Sequence, residues 1–163
     1  MAEDRTVVIA LDGSHHSDYA FDWYLKNSKK ENDNVIIVTC FEKHGHHFFG
    51  HDKSHDEASE KLQKEIASHK TLAEEFEENL LRKNGVKGEV VAAAGKPGEV
   101  VVHVAEDKKA TMIICGSRGH GAIRRTIMGS ISNYIVHHSH IPVIVCRHKG
   151  HHNPDNEHHN RHH

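Results

Sequence analysis

The chain has 163 residues, which is enough for one compact domain with its own core. Lys and Arg number 21 against 23 Asp and Glu, so the net charge of −2 provides no positive field for nucleic acid or an anionic membrane. The apolar stretches are only of strand length and the N-terminus is polar, which predicts a cytoplasmic protein without a membrane span or secretory signal. Three cysteines, each ending an apolar run, predict buried, reduced thiols.

The first half of the chain alternates between strand-like and helix-like patterns. Residues 6–11 form a continuous apolar run that predicts a buried strand, and a turn sequence follows it at Asp12-Gly13. Apolar residues at helical spacing predict a helix around residues 20–25, and residues 35–41 predict a second buried strand. Residues 62–80 have an apolar residue every three or four positions, which predicts a long amphipathic helix.

The second half continues the alternation. Residues 88–94 predict a third strand, and Pro97 opens a helix, where its missing N–H group does no harm. Residues 111–115 predict a fourth strand, which leads into a glycine-rich turn and then a helix over residues 127–138. Residues 141–146 predict a last strand at the edge of the sheet, because Pro142 near its start cannot donate a ladder hydrogen bond.

The resulting order, βαβαβαβαβ, predicts an α/β fold with a parallel sheet between two layers of helices. In such sheets, ligands bind at the carboxyl ends of the strands, where the strand order reverses. The residues that follow the first, second and fourth strands are therefore the candidate ligand contacts, and they lie at Asp12, Cys40 and Gly116.

A glycine motif follows the fourth strand, with the spacing Gly116-x2-Gly119-x9-Gly129-Ser130. Glycines let backbone N–H groups approach phosphate oxygens and permit turns that a Cβ would obstruct. We expect Gly129 and Ser130 to open a helix whose free N–H groups bind an anion. The chain has no G-x-x-x-x-G-K-[ST] or G-x-G-x-x-G sequence, so neither a P-loop NTPase nor a dinucleotide-binding protein is indicated.

These motifs closely resemble those of the universal stress protein family. The shared features are an apolar strand ending in Asp12-Gly13-Ser14, a Gly95-x-Pro97 sequence before the third helix, the glycine motif, and a last strand with Ile141-Pro-Val. The resemblance covers residues 5–147 and implies a five-stranded parallel sheet in the order 3-2-1-4-5, the adenine-nucleotide α-hydrolase-like fold. It also implies a domain over residues 1–147, followed by a tail over residues 148–163.

The glycine motif is typical of the ATP-binding branch of that family, so the resemblance implies ATP as ligand, with Mg²⁺ as a possible companion. Adenine and ribose would be held by Ala10, Leu11, Asp12 and Cys40, and the phosphates and ribose by Gly116, Gly119, Gly129, Ser130 and Ile131. Ser117, Arg118 and Ser132 are further candidates because they lie next to these positions. No motif of an efficient ATPase is present, so hydrolysis is expected to be slow or absent.

The resemblance further implies a stress-response or signalling module that forms a homodimer through its last strand. An apolar edge strand supports the dimer, because its unpaired N–H and C=O groups invite a second copy. Simpler interpretations stay open at two positions. The glycine motif could be only a tight turn, and Asp12 could only cap the first helix.

Twenty histidines are the unusual feature of the composition, and most of them cluster. Five lie between His44 and His55, and seven lie between His148 and His163, in a polar tail that we expect to be disordered. Imidazole binds Zn, Cu and Ni, so a transition-metal-binding module is the alternative function. Adventitious chelation explains the same tracts, because neither of them contains a cysteine at the fixed spacing of a structural zinc site. A third hypothesis is an interaction scaffold without a working nucleotide site.

Overall fold

The computed structural model of the chain describes residues 4–13, 15–41, 55–117 and 128–147. The strands are β1 (Arg5–Ala10), β2 (Asp33–Phe41), β3 (Gly88–Ala94), β4 (Met112–Gly116) and β5 (Val143–Cys146). The helices are α1 (His15–Asn27), α2 (His55–Phe76), α3 (Pro97–Asp107) and α4 (Ser130–His138). A π-helical segment, Glu77–Arg82, extends α2. Strands and helices alternate along the chain as predicted.

The five strands form one sheet in the order β3-β2-β1-β4-β5, and all neighbouring strands are parallel. The predicted order and fold class are therefore confirmed. From β1 the chain builds the sheet in one direction through β2 and β3, and from β4 it builds the sheet in the other direction through β5. The strand order therefore reverses between β1 and β4, which are neighbours in the sheet. This is the switch point at which parallel sheets leave room for a ligand.

Alternate side chains of the strands pack against different helices. On one face, Val7 and Ile9 of β1 pack with residues of α1 and with Phe76 at the end of α2. On the other face, Val8 packs with residues of α3 and α4 such as Val101. Because side chains alternate along a strand, an uninterrupted apolar run fills both cores. The result is a three-layer αβα structure.

The element boundaries differ from the sequence prediction at α2 and β5. Helix α2 begins at His55, and Leu62 and Ile66 of its predicted inward stripe are 41% and 47% exposed. The stripe is covered only towards the end of the helix, where Phe76 is buried. Strand β5 begins at Val143, one residue after Pro142, which has no N–H group to donate.

A buried ion pair joins the amino ends of β1 and β2. Arg5 donates through Nε and Nη2 to the two carboxylate oxygens of Asp33, at 2.8 and 2.7 Å. The hydroxyl of Tyr24 and the backbone N–H of Lys30 also donate to Asp33, at 2.8 and 2.9 Å. Asp33 is 4% exposed, so its charge is neutralised and fully hydrogen-bonded within the protein.

Candidate functional site at the carboxyl edge

The turn after β1 brings Asp12 and Ser17 together at the carboxyl edge of the sheet. Gly13 has a φ of 80°, a conformation that other residues rarely adopt, and it lets the chain turn sharply into α1. The hydroxyl of Ser17, in the first turn of α1, accepts a hydrogen bond from the backbone N–H of Asp12 at 3.2 Å. The peptide that carries the Asp12 carboxylate is therefore held against the helix.

A cavity of about 260 Å³ opens beside this turn, between the sheet and the helices α3 and α4. Ligand pockets commonly measure ~300–1,000 Å³, so the cavity is near the size of a small-molecule site. Its lining residues come from the ends of three strands and the starts of three helices: Ala10, Leu11, Asp12, Ser17, Val38, Cys40, Pro97, Val101, Cys115, Gly116, Gly129, Ser130, Ile131 and Ser132.

One wall of the cavity is apolar and is formed by β2 and α3. Val38 and Cys40 are two residues apart in β2 and so face the same side of the sheet, towards Pro97 and Val101 of α3. Burial raises the pKa of the Cys40 thiol to about 11, so this sulfur is neutral at physiological pH. The wall therefore offers a flat ligand group apolar contact without charge.

Another wall of the cavity is polar, and it is formed by the first turn of α4. The N–H of Asn133 donates to the carbonyl of Gly129 at 2.9 Å, which is the first bond of the helical ladder. The N–H groups of Ser130, Ile131 and Ser132 precede that bond and have no carbonyl one turn earlier in the helix. Such N–H groups, with the positive end of the helix dipole, favour an anion.

Gly129 differs from the sequence prediction in two respects. We expected it to leave its backbone N–H group for an anion, and this is wrong, because that N–H donates to the carbonyl of Ser117 at 2.7 Å. Its φ of −61° and ψ of 157° are open to any residue, so the backbone conformation does not require glycine. Gly129 lines the cavity, so a side chain at this position would take up space beside it.

Ser117 follows the first glycine of the motif, and Ser132 lies two residues after the last motif residue, Ser130. Both are buried, at 8% and 3% exposure. The N–H of Ser117 donates to the carbonyl of Cys146 in β5 at 2.9 Å, so β4 and β5 stay paired up to the start of the loop. The hydroxyl of Ser132 lies 3.1 Å from the carbonyl oxygen of Ser117 and 3.0 Å from that of Gly129. Its side chain is thus engaged with the backbone of the motif.

Nine of the twelve sequence-predicted residues line the cavity, namely Ala10, Leu11, Asp12, Cys40, Gly116, Gly129, Ser130, Ile131 and Ser132. Ser117 is buried and is not among the described lining residues, and Arg118 and Gly119 lie outside the described residues. The sequence reasoning missed Ser17, Val38, Pro97, Val101 and Cys115. Val38 could have been found from Cys40, because residues two apart in a strand share a face. Pro97 and Val101 depend on how α3 crosses the sheet, which no local pattern specifies.

Among the described residues that line the cavity, the charged side chain is an aspartate. Asp12 supplies a carboxylate, and there is no lysine or arginine among the described lining residues. Burial, together with the neighbouring Cys146 thiol, raises the pKa of Cys115 to about 12, so this sulfur is also neutral. In this part of the cavity, backbone N–H groups at the start of α4 could hold an anion.

Metal sites and membrane spans are not found in the part of the chain that the structure describes. Its histidines, cysteines and carboxylates form no cluster of three that could hold a metal ion. The histidines between residues 44 and 51, like the tail over residues 148–163, lie outside the described ranges, so metal binding there stays a prediction. None of the described helices combines the length and apolar character that crossing a membrane requires.

Known proteins with this architecture include several solved universal stress proteins. Hypothetical protein MJ0577 superposes with a TM-score of 0.75 at 23% identity, over 91% of this chain and 99% of its own. A universal stress protein in complex with cAMP gives a TM-score of 0.61 at 23% identity, over 87% and 96%. A family member from Arabidopsis thaliana with AMP bound gives 0.63 at 19% identity, over 90% and 93%. At these identities the likeness concerns the fold.

Sequence comparison is consistent with that likeness. The putative universal stress protein SSP1056 of Staphylococcus saprophyticus is 28% identical over 147 residues, which cover 88% of this chain and 83% of the relative. The family model of the universal stress protein family matches residues 4–147, from just before β1 to just after β5. The protein is therefore a member of the universal stress protein family.

Proposed function

We propose that this protein binds an adenine nucleotide in the carboxyl-edge cavity, with ATP as the expected ligand, and acts as a nucleotide-dependent stress-response or signalling module in the cytoplasm. The observation that carries the proposal is the pairing of two unlike walls in one cavity. One wall is apolar and suits a base, and the other presents the first-turn N–H groups of α4 and suits a phosphate.

The base would lie against the apolar wall made by Val38, Cys40 and Val101. The side chain of Leu11 belongs to the core on the α1 side of the sheet, and its N–H donates to the carbonyl of Val38 at 3.0 Å. Leu11 would therefore contact a nucleoside through its backbone carbonyl. Asp12 also lines the cavity, and its carboxylate can accept hydrogen bonds from the hydroxyls of a ribose that joins the base to the phosphates.

The phosphates would lie at the start of α4, against the N–H groups of Ser130 and Ile131 and beside Gly116. A magnesium ion accompanying the nucleotide would be bound mainly by phosphate oxygens and water. The described wall has no lysine to stabilise charge on a leaving phosphate. We therefore expect ATP to be hydrolysed slowly or not at all.

Two structural relatives support this choice of ligand. The Arabidopsis protein was solved with AMP and another universal stress protein with cAMP, and both share the fold of this chain. Their adenine nucleotides favour the same ligand class here. The choice of ATP rests on the glycine motif that continues into the start of α4.

The experiment is calorimetric titration of the purified protein with ATP, AMP and adenosine, after mass spectrometry of any nucleotide released by denaturation. We expect ATP to bind with a millimolar or lower dissociation constant. It should bind more tightly than adenosine, because adenosine has no phosphate to reach the N–H groups of α4. Absence of binding at millimolar ATP would refute the proposal. Equal affinity for ATP and adenosine would refute the phosphate assignment alone.

We also propose that the protein is a homodimer paired through β5. Among the strands that the structure describes, β5 pairs with β4 alone, and Val143, Ile144 and Val145 are each partly exposed although apolar. A second copy would cover them and pair the free edge. Light scattering at tens of micromolar tests this proposal, because a monomer mass would contradict it. Val143→Asp and Val145→Asp should each weaken the association.

A further inference from the structure

The buried hydroxyl of Ser132 lies within hydrogen-bonding distance of the backbone at both ends of the glycine motif. Around the middle of the motif, the residues that the structure describes end at Ser117 and resume at Met128. The carbonyl of Ser117 accepts the N–H of Gly129 at 2.7 Å, and the hydroxyl of Ser132 approaches the same carbonyl at 3.1 Å. One carbonyl oxygen thus receives donors from two residues of the returning chain.

The hydroxyl of Ser132 also lies 3.0 Å from the carbonyl of Gly129, which in turn accepts the N–H of Asn133. A single hydroxyl has one hydrogen to donate, so it is shared between two carbonyl groups that belong to the two ends of the motif. Ser132 is 3% exposed, and this geometry leaves its side chain directed at the protein backbone. Its hydroxyl therefore acts on the backbone that carries the first-turn N–H groups.

We infer that Ser132 is a positioning residue for the phosphate end of the site: its hydroxyl holds the carbonyls of Ser117 and Gly129 together and so fixes the first turn of α4 towards the cavity. The inference rests on the proposed function, because it assigns Ser132 a role in binding phosphate. The side chain of Ser132 would thus act on the backbone of the site and not on the nucleotide directly. A preorganised set of N–H groups binds an anion better than one that must be ordered on binding.

The prediction separates phosphate affinity from nucleoside affinity. In Ser132→Ala the hydroxyl is lost but the backbone N–H remains, so we expect ATP to bind about tenfold more weakly, as for one lost hydrogen bond. Adenosine affinity should stay within about twofold, because the apolar wall of β2 and α3 is untouched. Ser132→Thr keeps the hydroxyl and should retain the wild-type ratio of ATP affinity to adenosine affinity.

Ser139→Ala is the matched control. Ser139 follows α4 at its other end, and its hydroxyl donates to the carbonyl of Ile141 at 2.8 Å and accepts the N–H of Ile141 at 2.9 Å. Its loss removes hydrogen bonds next to the same helix without touching the cavity. We expect the ratio of ATP affinity to adenosine affinity to stay unchanged in this variant.

Hydrogen exchange of the nucleotide-free wild type gives a second test that needs no variant. The N–H of Gly129 should exchange slowly because it is bonded to Ser117, and unprotected exchange would overturn the inference. An unchanged ratio in Ser132→Ala, an equal loss of both ligands, or a loss in Ser132→Thr as large as in Ser132→Ala would also overturn it. If wild type bound no ATP at all, the proposed function would fail first.

Discussion

At the amino edge of the sheet, polar groups are satisfied by side chains of the protein itself, whereas at the carboxyl edge they are backbone groups that face a cavity. Asp33 accepts four hydrogen bonds from Arg5, Tyr24 and Lys30, and almost none of it reaches solvent. At the other edge, the first-turn N–H groups of α4 border a cavity of about 260 Å³. The same parallel strands thus end in a closed ionic contact on one side and in an open site on the other.

The difference follows from the direction of the strands and helices. In a parallel sheet, the helices that follow the strands begin at the carboxyl edge, so the positive ends of their dipoles gather there. The amino edge receives helix C-termini, and here Arg5 also donates to the carbonyl of Ser28, just after α1, at 2.6 Å. Substitutions at the amino edge should therefore change stability, and substitutions at the carboxyl edge should change ligand affinity.

The largest effect is expected from Asp33→Ala. The change leaves Arg5 and the Tyr24 hydroxyl buried without their partner, so we expect the free energy of unfolding to fall by about 3–5 kcal/mol. That corresponds to roughly 2–4 °C of melting temperature for each kcal/mol. ATP affinity should change less than about twofold in folded protein, because the two edges are on the order of 15–20 Å apart along β1.

The surface pair of Lys108 and Glu89 is the control for Asp33→Ala. Its atoms are 2.8 Å apart, but its side chains are 41% and 52% exposed, so Glu89→Ala should cost far less stability than Asp33→Ala. Urea unfolding of both variants and of wild type gives the comparison. Equal losses in the two variants would contradict a special role for the buried pair.

The second effect is on affinity, through Gly129→Val. Gly129 lines the cavity, so a valine side chain would fill space between the phosphates and the N–H groups of α4. Losing two hydrogen bonds to charged oxygens, at about 1.5–3 kcal/mol each, predicts ATP binding weaker by at least ~100-fold. Stability should fall by only about 1 kcal/mol, because the φ and ψ of Gly129 suit valine and only the helix cap is impaired.

Ala92→Val is the control for Gly129→Val, because it creates the same side chain on the exposed part of β3, where valine suits a strand. It should leave ATP affinity unchanged. Circular dichroism should show that both variants are folded. If Gly129→Val bound ATP as tightly as wild type, the phosphate end of the site would lie elsewhere.

The sequence reasoning succeeded where one pattern determines one structure. The run over residues 88–94 coincides with β3, and Pro97 opens α3, because strand and helix-start signals are local. It failed where two distant segments meet. The contact between Arg5 and Asp33 joins residues 28 positions apart, and neither residue stands in a motif. The bond from Gly129 to Ser117 depends in the same way on the path of the chain between them.

The third effect concerns acid stability at the amino edge. Burial would raise the pKa of the Asp33 carboxyl, but hydrogen bonds from Arg5, Lys30 and Tyr24 outweigh it, so the pKa lies below its ordinary value. A lowered pKa stabilises the fold above the ordinary aspartate pKa of about 4, and the stabilisation is lost as the pH falls from there. The loss should be smaller than in Asp33→Ala, because a protonated carboxyl still makes hydrogen bonds.

Asp33→Asn isolates this contribution, because asparagine keeps the shape of aspartate and does not ionise. The difference in unfolding free energy between wild type and Asp33→Asn should be largest near neutral pH and should shrink as the pH falls below about 4. Chemical unfolding at a series of pH values measures it. A difference that stays constant with pH would show that the charge of Asp33 contributes nothing.

The smallest effect is expected from Asp12→Ala at the carboxyl edge. Asp12 would accept hydrogen bonds from ribose hydroxyls, and removing such a contact should weaken ATP about fivefold, since its negative charge also repels phosphate. Its backbone N–H to Ser17 survives the substitution, so the turn after β1 should keep its shape. Adenosine should lose at least as much affinity as ATP, in contrast to Gly129→Val. Asp22→Ala, which removes an exposed carboxylate of α1, is the charge control.

Binding of 2′-deoxy-ATP and 3′-deoxy-ATP to wild type and to Asp12→Ala completes the test. At least one of these analogues should bind wild type more weakly than ATP does, whereas Asp12→Ala should bind that analogue and ATP equally well. Discrimination that persists in the variant would place the ribose contact on another residue.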